Sequence, residues 1–303
     1  MNMDMNGIVG APTTPFNQEN RVDYDLFAKQ VDFLIRNGVS LIAHPMHIGE
    51  SINMTDDERK KLAECLVRAA AGRVQTFVHV SYAATHQSRD LAQHSRKVGA
   101  TGIVMMAPYH WRPERDAIID HFLTVAGDLD AKLIVYNNVK ATGVEITPEI
   151  FTDLMERLPN LAAIKDASFL MDYFSEICRL IEKMGKNIAP YTGLEHLLTS
   201  VPVGGRGCFS ACAEVSPNLV VNLFKACAAN DIKTARALQF KVKELLGVLM
   251  KNYPATIKYA MELMGRPVGQ SRKPILPLNA EAKSNVKESL KRLGVLDTEP
   301  CGW

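Results

Sequence analysis

A lysine stands directly after an apolar run that has the character of a buried strand. Residues 161–164 are Leu-Ala-Ala-Ile, and Lys165 follows them with no turn residue between. A buried amine loses hydration, which disfavours its charged form and lowers its pKa. The neutral amine is a nucleophile toward carbonyl carbons and can form a Schiff base. Lys165 is therefore a candidate nucleophile. The alternative is an ion pair at a strand end, for example with Asp166.

Groups that can transfer protons follow three other apolar runs of the chain. His47 follows the second run, Tyr109 and His110 follow the fourth, and Tyr136 ends the fifth. Phenols and imidazoles donate and accept protons in general acid–base catalysis when they lie within hydrogen-bond reach of the reacting atoms. If the ends of these runs meet in space, a lysine, a phenol and two imidazoles face one site.

Eight short apolar runs are the elements that must position these groups. They begin near residues 7, 39, 75, 101, 131, 160, 187 and 206. Each run is continuously apolar rather than alternating, as strands buried on both faces are. Amphipathic stretches lie between them, such as residues 23–38 and 55–72. The second of these begins with a Thr cap and an acidic first turn, which indicates a helix start.

Repeated strand–helix units of about 25 to 35 residues predict a (β/α)8 TIM barrel with its active site at the C-terminal ends of the strands. A doubly wound open sheet is the rival fold, but no Gly-x-Gly-x-x-Gly segment follows the first strand. Strand signals stop near residue 225, and three helical stretches follow. We predict a barrel over residues 1–225 and a C-terminal helical region over residues 226–303.

Composition excludes several other classes of protein. The chain has 303 residues, 47% hydrophobic and 22% charged, with a formal net charge of +2. This balance gives no indication of nucleic acid or an anionic membrane as a partner. No apolar run approaches the roughly 20 residues of a membrane span, and the first residues lack the apolar region of a signal peptide. The six cysteines have no zinc spacing, so we expect reduced thiols in a cytoplasmic protein.

Eight segments in order make the chain resemble one known family. It is similar to the dihydrodipicolinate synthase / N-acetylneuraminate lyase family, the class I pyruvate aldolases. The segments are APTTPF (11–16), GES (49–51), APYHWRP (107–113), VYN (135–137), AIKDAS (163–168), TGLEHLL (192–198), GGRGCFSA (204–211) and MGRPVGQSRKPILPL (264–278). The resemblance covers nearly the whole chain.

The resemblance implies a role for each matching residue. Lys165 corresponds to the amine that attacks the 2-oxo carbon of the substrate, and Tyr136 to the phenol that moves protons beside it. It also implies a homotetramer built from tight dimers, a small-molecule 2-oxo acid as substrate, and neither metal nor organic cofactor. The substrate-binding residues predicted on this basis are Ile48, Tyr109, Trp111, Gly193 and Phe209.

Two departures concern the proton relay of the family. His47 and Ile48 replace two hydroxyl residues that bind the substrate carboxylate, so Ile48 offers only its backbone N–H. His47 either donates a hydrogen bond or acts as a cation near the carboxylate. His110 replaces a tyrosine that crosses the dimer interface in synthases of the family. We predict an altered relay of His47, Tyr136 and His110. The alternative is that either imidazole only binds backbone at the barrel rim.

A third departure concerns the second half of the substrate. Ala141 stands where synthases carry an arginine that grips a carboxylate, a contact worth roughly 1.5–3 kcal/mol. Lys140 is adjacent, but its side chain is predicted to point to a different side. Trp111 and Phe209 instead suit an apolar or aromatic aldehyde, although Trp111 alternatively packs at a subunit interface. These residues argue against aspartate semialdehyde as the partner.

Three functions therefore remain. The first is a Schiff-base lyase, aldolase or hydratase-aldolase that acts on a 2-oxo acid. The second is a dehydratase of a 2-keto-3-deoxy sugar acid, which uses the same imine to expel a hydroxyl group. The third is a non-catalytic ligand-binding homologue, and the presence of both Lys165 and Tyr136 argues against it.

Overall fold

The strands close into a parallel barrel in the computed structural model, which describes residues 5–303. Residues 1–4 belong to the N-terminal segment that is predicted to lack the apolar region of a signal peptide, and they lie outside the described residues. Each strand pairs in parallel with the next, and the eighth pairs with the first. The predicted (β/α)8 fold is confirmed. The strands are β1 (Gly7–Gly10), β2 (Leu41–His44), β3 (Gln75–His79), β4 (Gly102–Met106), β5 (Lys132–Asn137), β6 (Leu161–Asp166), β7 (Ala189–Thr192) and β8 (Gly207–Ser210).

Helices follow the strands and cover the outside of the barrel. Those of the barrel are α1 (Tyr24–Arg36), α2 (Asp56–Ala70), α3 (Thr85–Lys97), α4 (Arg115–Ala126), α5 (Val139–Thr142), α6 (Pro148–Arg157), α7 (Met171–Lys183), α8 (Leu197–Ser200) and α9 (Pro217–Ala228). The predicted start of α2 is confirmed, because Thr55 and Glu58 form a reciprocal capping box. No helix within residues 5–303 combines the length and apolar character that a membrane crossing needs.

Two glycines allow the barrel to close. Gly7 of β1 pairs with Gly207 of β8, and a Cβ on Gly207 would collide with the carbonyl oxygen of Gly7. Only a residue without a side chain permits this approach of the two backbones. The first and last strands can therefore meet with ordinary parallel register.

The C-terminal extension consists of α10 (Ile232–Leu249), α11 (Ala255–Leu263), α12 (Ala280–Arg292) and α13 (Val295–Thr298). The predicted boundary at residue 225 falls inside α9, and the division into two domains stays a prediction. Two ion pairs join the extension to the loop and helix after β2. Lys258 Nζ lies 2.7 Å from Glu50 Oε1 with both side chains buried, and Arg272 binds Glu58 at 2.6 Å. The extension is thus fastened to the end of the barrel where the candidate site lies.

Candidate active site

A cavity of about 290 Å³ opens at the C-terminal ends of the strands. Six of the nine residues predicted for the site line it. They are Lys165, Tyr136, His47, Ile48, Gly193 and Phe209. They meet because parallel strands in a closed barrel bring their carboxyl ends to one rim.

Lys165 lies on β6 between two aromatic rings. It pairs with Tyr136 across the sheet, so both side chains leave the sheet at the same level. Its Nζ is 4.0 Å from the centroid of the Tyr136 ring and 4.5 Å from that of Phe209, and the residue is only 5% exposed. The wall around the amine is therefore mainly hydrocarbon.

The alternative ion pair with Asp166 is not formed. Asp166 instead accepts hydrogen bonds from Asn137 Nδ2 at 3.0 Å and from the hydroxyl of Ser168 at 2.9 Å. Among residues 5–303, no carboxylate lies within 4.0 Å of Lys165 Nζ. The amine has no direct counter-ion in this part of the chain.

Burial lowers the pKa of Lys165 to about 7, and the fields of Cys208 and Glu195 oppose that effect only in part. Burial also raises the pKa of the Cys208 thiol well above its usual value, so its opposing effect on Lys165 is weak at neutral pH. Glu195 is itself buried, with one carboxylate oxygen accepting from Ser210 Oγ at 2.5 Å. A lysine with a pKa near 7 is substantially neutral at physiological pH.

Two side chains hold the phenol of Tyr136. Asn138 Nδ2 donates a hydrogen bond to Tyr136 Oη at 2.8 Å, and His47 Nδ1 lies 3.3 Å from the same oxygen. Because Asn138 is the donor, the phenol proton is free to point toward His47 or toward a substrate oxygen. Burial raises the pKa of Tyr136, so the phenol keeps its proton until a reacting group takes it.

The imidazole of His47 is neutral in this environment. Burial, followed by the nearby Lys165, lowers the pKa of His47 to about 4. His47 is predicted either to donate a hydrogen bond or to act as a cation near the carboxylate. A neutral ring favours the hydrogen-bonding role.

A short 3-10 turn, His47–Gly49, places backbone donors at the cavity wall. Its hydrogen bonds begin with the N–H of Gly49, which donates to Met46 at 3.0 Å. The first N–H groups of a helical turn have no partner within it, and that of Ile48 is one of them. Ile48 lines the cavity, which makes its N–H a candidate donor to a small anionic group.

Three predicted residues lie outside this cavity. Tyr109 is half-buried, whereas His110 and Trp111 are exposed on the loop after β4, with ring centroids 5.2 Å apart. Trp111 is 75% exposed. Within one chain none of the three lines the cavity that contains Lys165, and the role of His110 across a dimer interface stays a prediction.

Several lining residues escaped the sequence analysis. They are Met46, Asn138, Phe169, Leu194, Met250 and Tyr253. The prediction for Lys140 was wrong, because this residue also lines the cavity. The chain turns into the short helix α5 after β5 and carries Lys140 and Ala141 to the rim. The only sequence signal for this turn was Asn138, whose side chain caps α5 by accepting from the N–H of Ala141.

Comparisons with known proteins agree on one family. The model of the dihydrodipicolinate synthetase family matches residues 4–293. The 4-hydroxy-tetrahydrodipicolinate synthase of Aquifex aeolicus is 30% identical over 288 residues, which cover 94% of this chain and 97% of that protein. The enzyme of the same name from Chlorobium phaeobacteroides is 30% identical over 292 residues, covering 96% and 98% of the two chains.

Solved structures give the same result. A crystal structure of the Aquifex aeolicus dihydrodipicolinate synthase has a TM-score of 0.90 at 29% identity, covering 96% of this chain and 99% of that one. The structure of YagE, a prophage protein of the dihydrodipicolinic acid synthase family from E. coli K12 in complex with pyruvate, has a TM-score of 0.92 at 26% identity, with the same coverage. Enzymes of this family are lyases and aldolases. The chain therefore belongs to the dihydrodipicolinate synthetase family.

Proposed function

We propose that this protein is a Schiff-base-forming lyase or aldolase that makes or breaks a carbon–carbon bond between pyruvate and an apolar or aromatic aldehyde. The observation that carries the proposal is the state of Lys165. Its amine is buried between two rings, has no carboxylate partner within residues 5–303, and has a pKa lowered to about 7. The pyruvate bound to the relative YagE supports the choice of a 2-oxo acid.

The reaction begins when the neutral amine of Lys165 attacks the 2-oxo carbon. The carbonyl oxygen takes a proton from Tyr136 Oη and becomes the carbinolamine hydroxyl. A proton of the attacking nitrogen then passes by way of Tyr136 Oη to that hydroxyl, which leaves as water and gives the protonated imine, with Tyr136 left as the phenolate. In cleavage, Tyr136 as phenolate removes the proton from the hydroxyl of the second half. The electrons of the broken carbon–carbon bond pass to the imine and give an enamine of pyruvate and a free aldehyde. The addition runs these steps in reverse.

His47 and Ile48 orient the pyruvate half in this proposal. The neutral ring of His47 lies 3.3 Å from Tyr136 Oη and orients the phenol by a hydrogen bond. The N–H of Ile48 donates a hydrogen bond to the substrate carboxylate. In the synthases that this chain resembles, a side-chain hydroxyl makes that contact. A backbone donor at the start of a helical turn suits a small anion.

The second half of the substrate faces mostly apolar walls. Phe169, Leu194 and Met250 line this part of the cavity, and Lys140 is the charged residue beside them, with its Nζ 5.5 Å from the Phe169 ring centroid. Ala141 offers no bidentate guanidinium clamp for a second carboxylate. These walls favour an apolar or aromatic aldehyde over aspartate semialdehyde. They also disfavour the dehydratase alternative, because a polyhydroxylated sugar acid would leave hydroxyl groups unpaired. The reactive state of Lys165 argues against a non-catalytic homologue.

The assembly proposed with this function is a cytoplasmic homotetramer of tight dimers. The exposed loop with His110 and Trp111 would cross the tight interface and approach the partner's site. The cysteines within the described residues are all unpaired thiols, which suits a reducing compartment. No cofactor takes part in the steps above.

The test is reductive trapping with borohydride, read by peptide mass spectrometry. Incubation with pyruvate is expected to leave a reduced pyruvyl adduct on Lys165. Retro-aldol turnover of aryl-substituted 4-hydroxy-2-oxo acids should release pyruvate, whereas water loss without pyruvate would favour the dehydratase. Absence of the adduct on Lys165 would refute the proposal.

A further inference from the structure

A second cavity lies behind the wall of the candidate active site. It measures about 200 Å³. Besides Phe169, it is lined by the apolar residues Leu170, Met171 and Phe174 and by the polar residues Asp166, Thr192, His196 and Thr199. Phe169 lines both this cavity and the one that contains Lys165. The two spaces are therefore neighbours that share Phe169 as a wall.

The contacts of the Phe169 ring place it between the two spaces. Lys140 Nζ, from the active-site cavity, lies 5.5 Å from the ring centroid. The ring of His196, from the second cavity, lies 5.8 Å from the same centroid at 63°. One cation and one imidazole thus approach the ring from the two cavities.

The backbone holds Phe169 in an unusual conformation. Its φ is +63°, a region that a residue with a large side chain adopts only when its surroundings impose it. Side-chain hydrogen bonds fix the residues on both sides. Ser168 donates its N–H to Asp166 at 3.0 Å, and the N–H of Leu170 donates to Ser168 Oγ at 3.1 Å. The turn is anchored to the end of β6, which fixes the point where the side chain leaves the backbone. Phe169 is 42% exposed, so its ring stands at the rim where the two spaces adjoin.

We propose that Phe169 sets the length of the second half of the substrate, by separating the active-site cavity from a distal, partly apolar space that a longer aryl group would otherwise enter. The inference rests on the proposed function, since it concerns the part of the substrate beyond the 2-oxo acid. The wild-type cavity then accepts a single-ring group and excludes a fused two-ring group. Removal of the ring joins the two spaces.

The test uses two 2-oxo acids that require only imine formation, phenylpyruvate and 2-naphthylpyruvate. The rate of cyanoborohydride trapping on Lys165 is measured for each, and the naphthyl-to-phenyl ratio is compared between proteins. Wild-type protein is expected to trap the naphthyl acid far more slowly. Phe169→Ala should raise the ratio by about tenfold or more, because a few carbons gained or lost in an apolar pocket change selectivity by at least that factor.

Two further variants control for the backbone and for loss of an aromatic ring. Phe169→Asn removes the ring with a residue that tolerates a positive φ, and it should raise the ratio as Phe169→Ala does. Phe240 is 64% exposed on α10 and lines neither cavity, so Phe240→Ala should leave the ratio unchanged.

Two results would overturn the inference. One is a wild-type protein that traps both acids equally well, and the other is an unchanged ratio in both Phe169 variants. Failure to trap pyruvate itself in the wild type would instead refute the proposed function. In that case the ratio of the dissociation constants of the two acids would be measured at equilibrium, without imine formation. Equal affinities of the wild type for both acids, or an unchanged ratio in both Phe169 variants, would overturn the inference.

Discussion

The low pKa of Lys165 depends on the apolar ring of Phe209. The ring centroid lies 4.5 Å from Nζ, and Phe209 is 2% exposed. The difference between the usual 10.5 and about 7 corresponds to roughly 5 kcal/mol of disfavoured ammonium, at 1.36 kcal/mol for each pKa unit. Burial is the main cause, so a change that admits water beside Nζ should return part of this free energy.

Phe209→Ala is expected to admit that water. Recovery of about a third of the lost hydration would raise the pKa of Lys165 by about one unit, to about 8 or above. The neutral fraction at pH 7 would then fall from about half to below about a tenth. Trapping by pyruvate should therefore slow by roughly five- to tenfold at pH 7 and change little at pH 9.5.

The assay is the initial rate of cyanoborohydride trapping between pH 5.5 and 10, fitted to one midpoint for each protein. Phe209→Leu is the matched control, because it keeps hydrocarbon beside Nζ and should retain a midpoint near 7. Thermal unfolding shows whether each variant is folded, since Phe→Ala in a core costs about 3–5 kcal/mol. A wild-type midpoint near 10, or equal midpoints for the Ala and Leu variants, would refute the reasoning.

Three other changes test the site and its supports. Lys165→Met should abolish trapping. It should also raise the free energy of unfolding by up to ~5 kcal/mol below pH 7, because the folded chain no longer buries an amine. In urea titrations this gain should shrink between pH 7 and 10.5, and a pH-independent gain would contradict the low pKa. Asn138→Asp keeps the acceptor that caps α5 but loses the donor to Tyr136, so turnover should fall about tenfold with an unchanged Tm; a matching loss of Tm would assign Asn138 to stability alone. Lys258→Met leaves the Glu50 carboxylate buried without its partner and should lower the free energy of unfolding by about 3–5 kcal/mol in urea titrations. The double variant Lys258→Met, Glu50→Gln should recover most of that loss. No recovery would mean that the broken ion pair does not cause the loss of stability.

The sequence predicted the barrel well because its strands carry a local signal. Each of the eight is continuously apolar, and the parallel arrangement forces their carboxyl ends together. That geometry alone brings Lys165 and Tyr136, which lie on strands, to one cavity. His47 joins them from the short turn after β2.

The remaining walls of the cavity carry no comparable signal. Phe169 lines the site because of a positive φ, which hydrogen bonds around Asp166 impose and no sequence period predicts. Lys140 reaches the rim because four residues after β5 form a helix instead of continuing the expected register. Met250 and Tyr253 come from the extension, about forty residues beyond β8, where only tertiary packing brings them back.

The contribution of Tyr253 to the cavity has a consequence for biosynthesis. A ribosome makes the chain from its amino end, so every strand of the barrel, with the reactive amine, leaves the exit tunnel before residue 253 does. Until the segment with Met250 and Tyr253 follows, the cavity lacks the part of its wall that these two residues supply. The ion pair of Lys258 with Glu50 then joins the extension to the loop after β2. The site is therefore complete only after the extension has packed against the barrel.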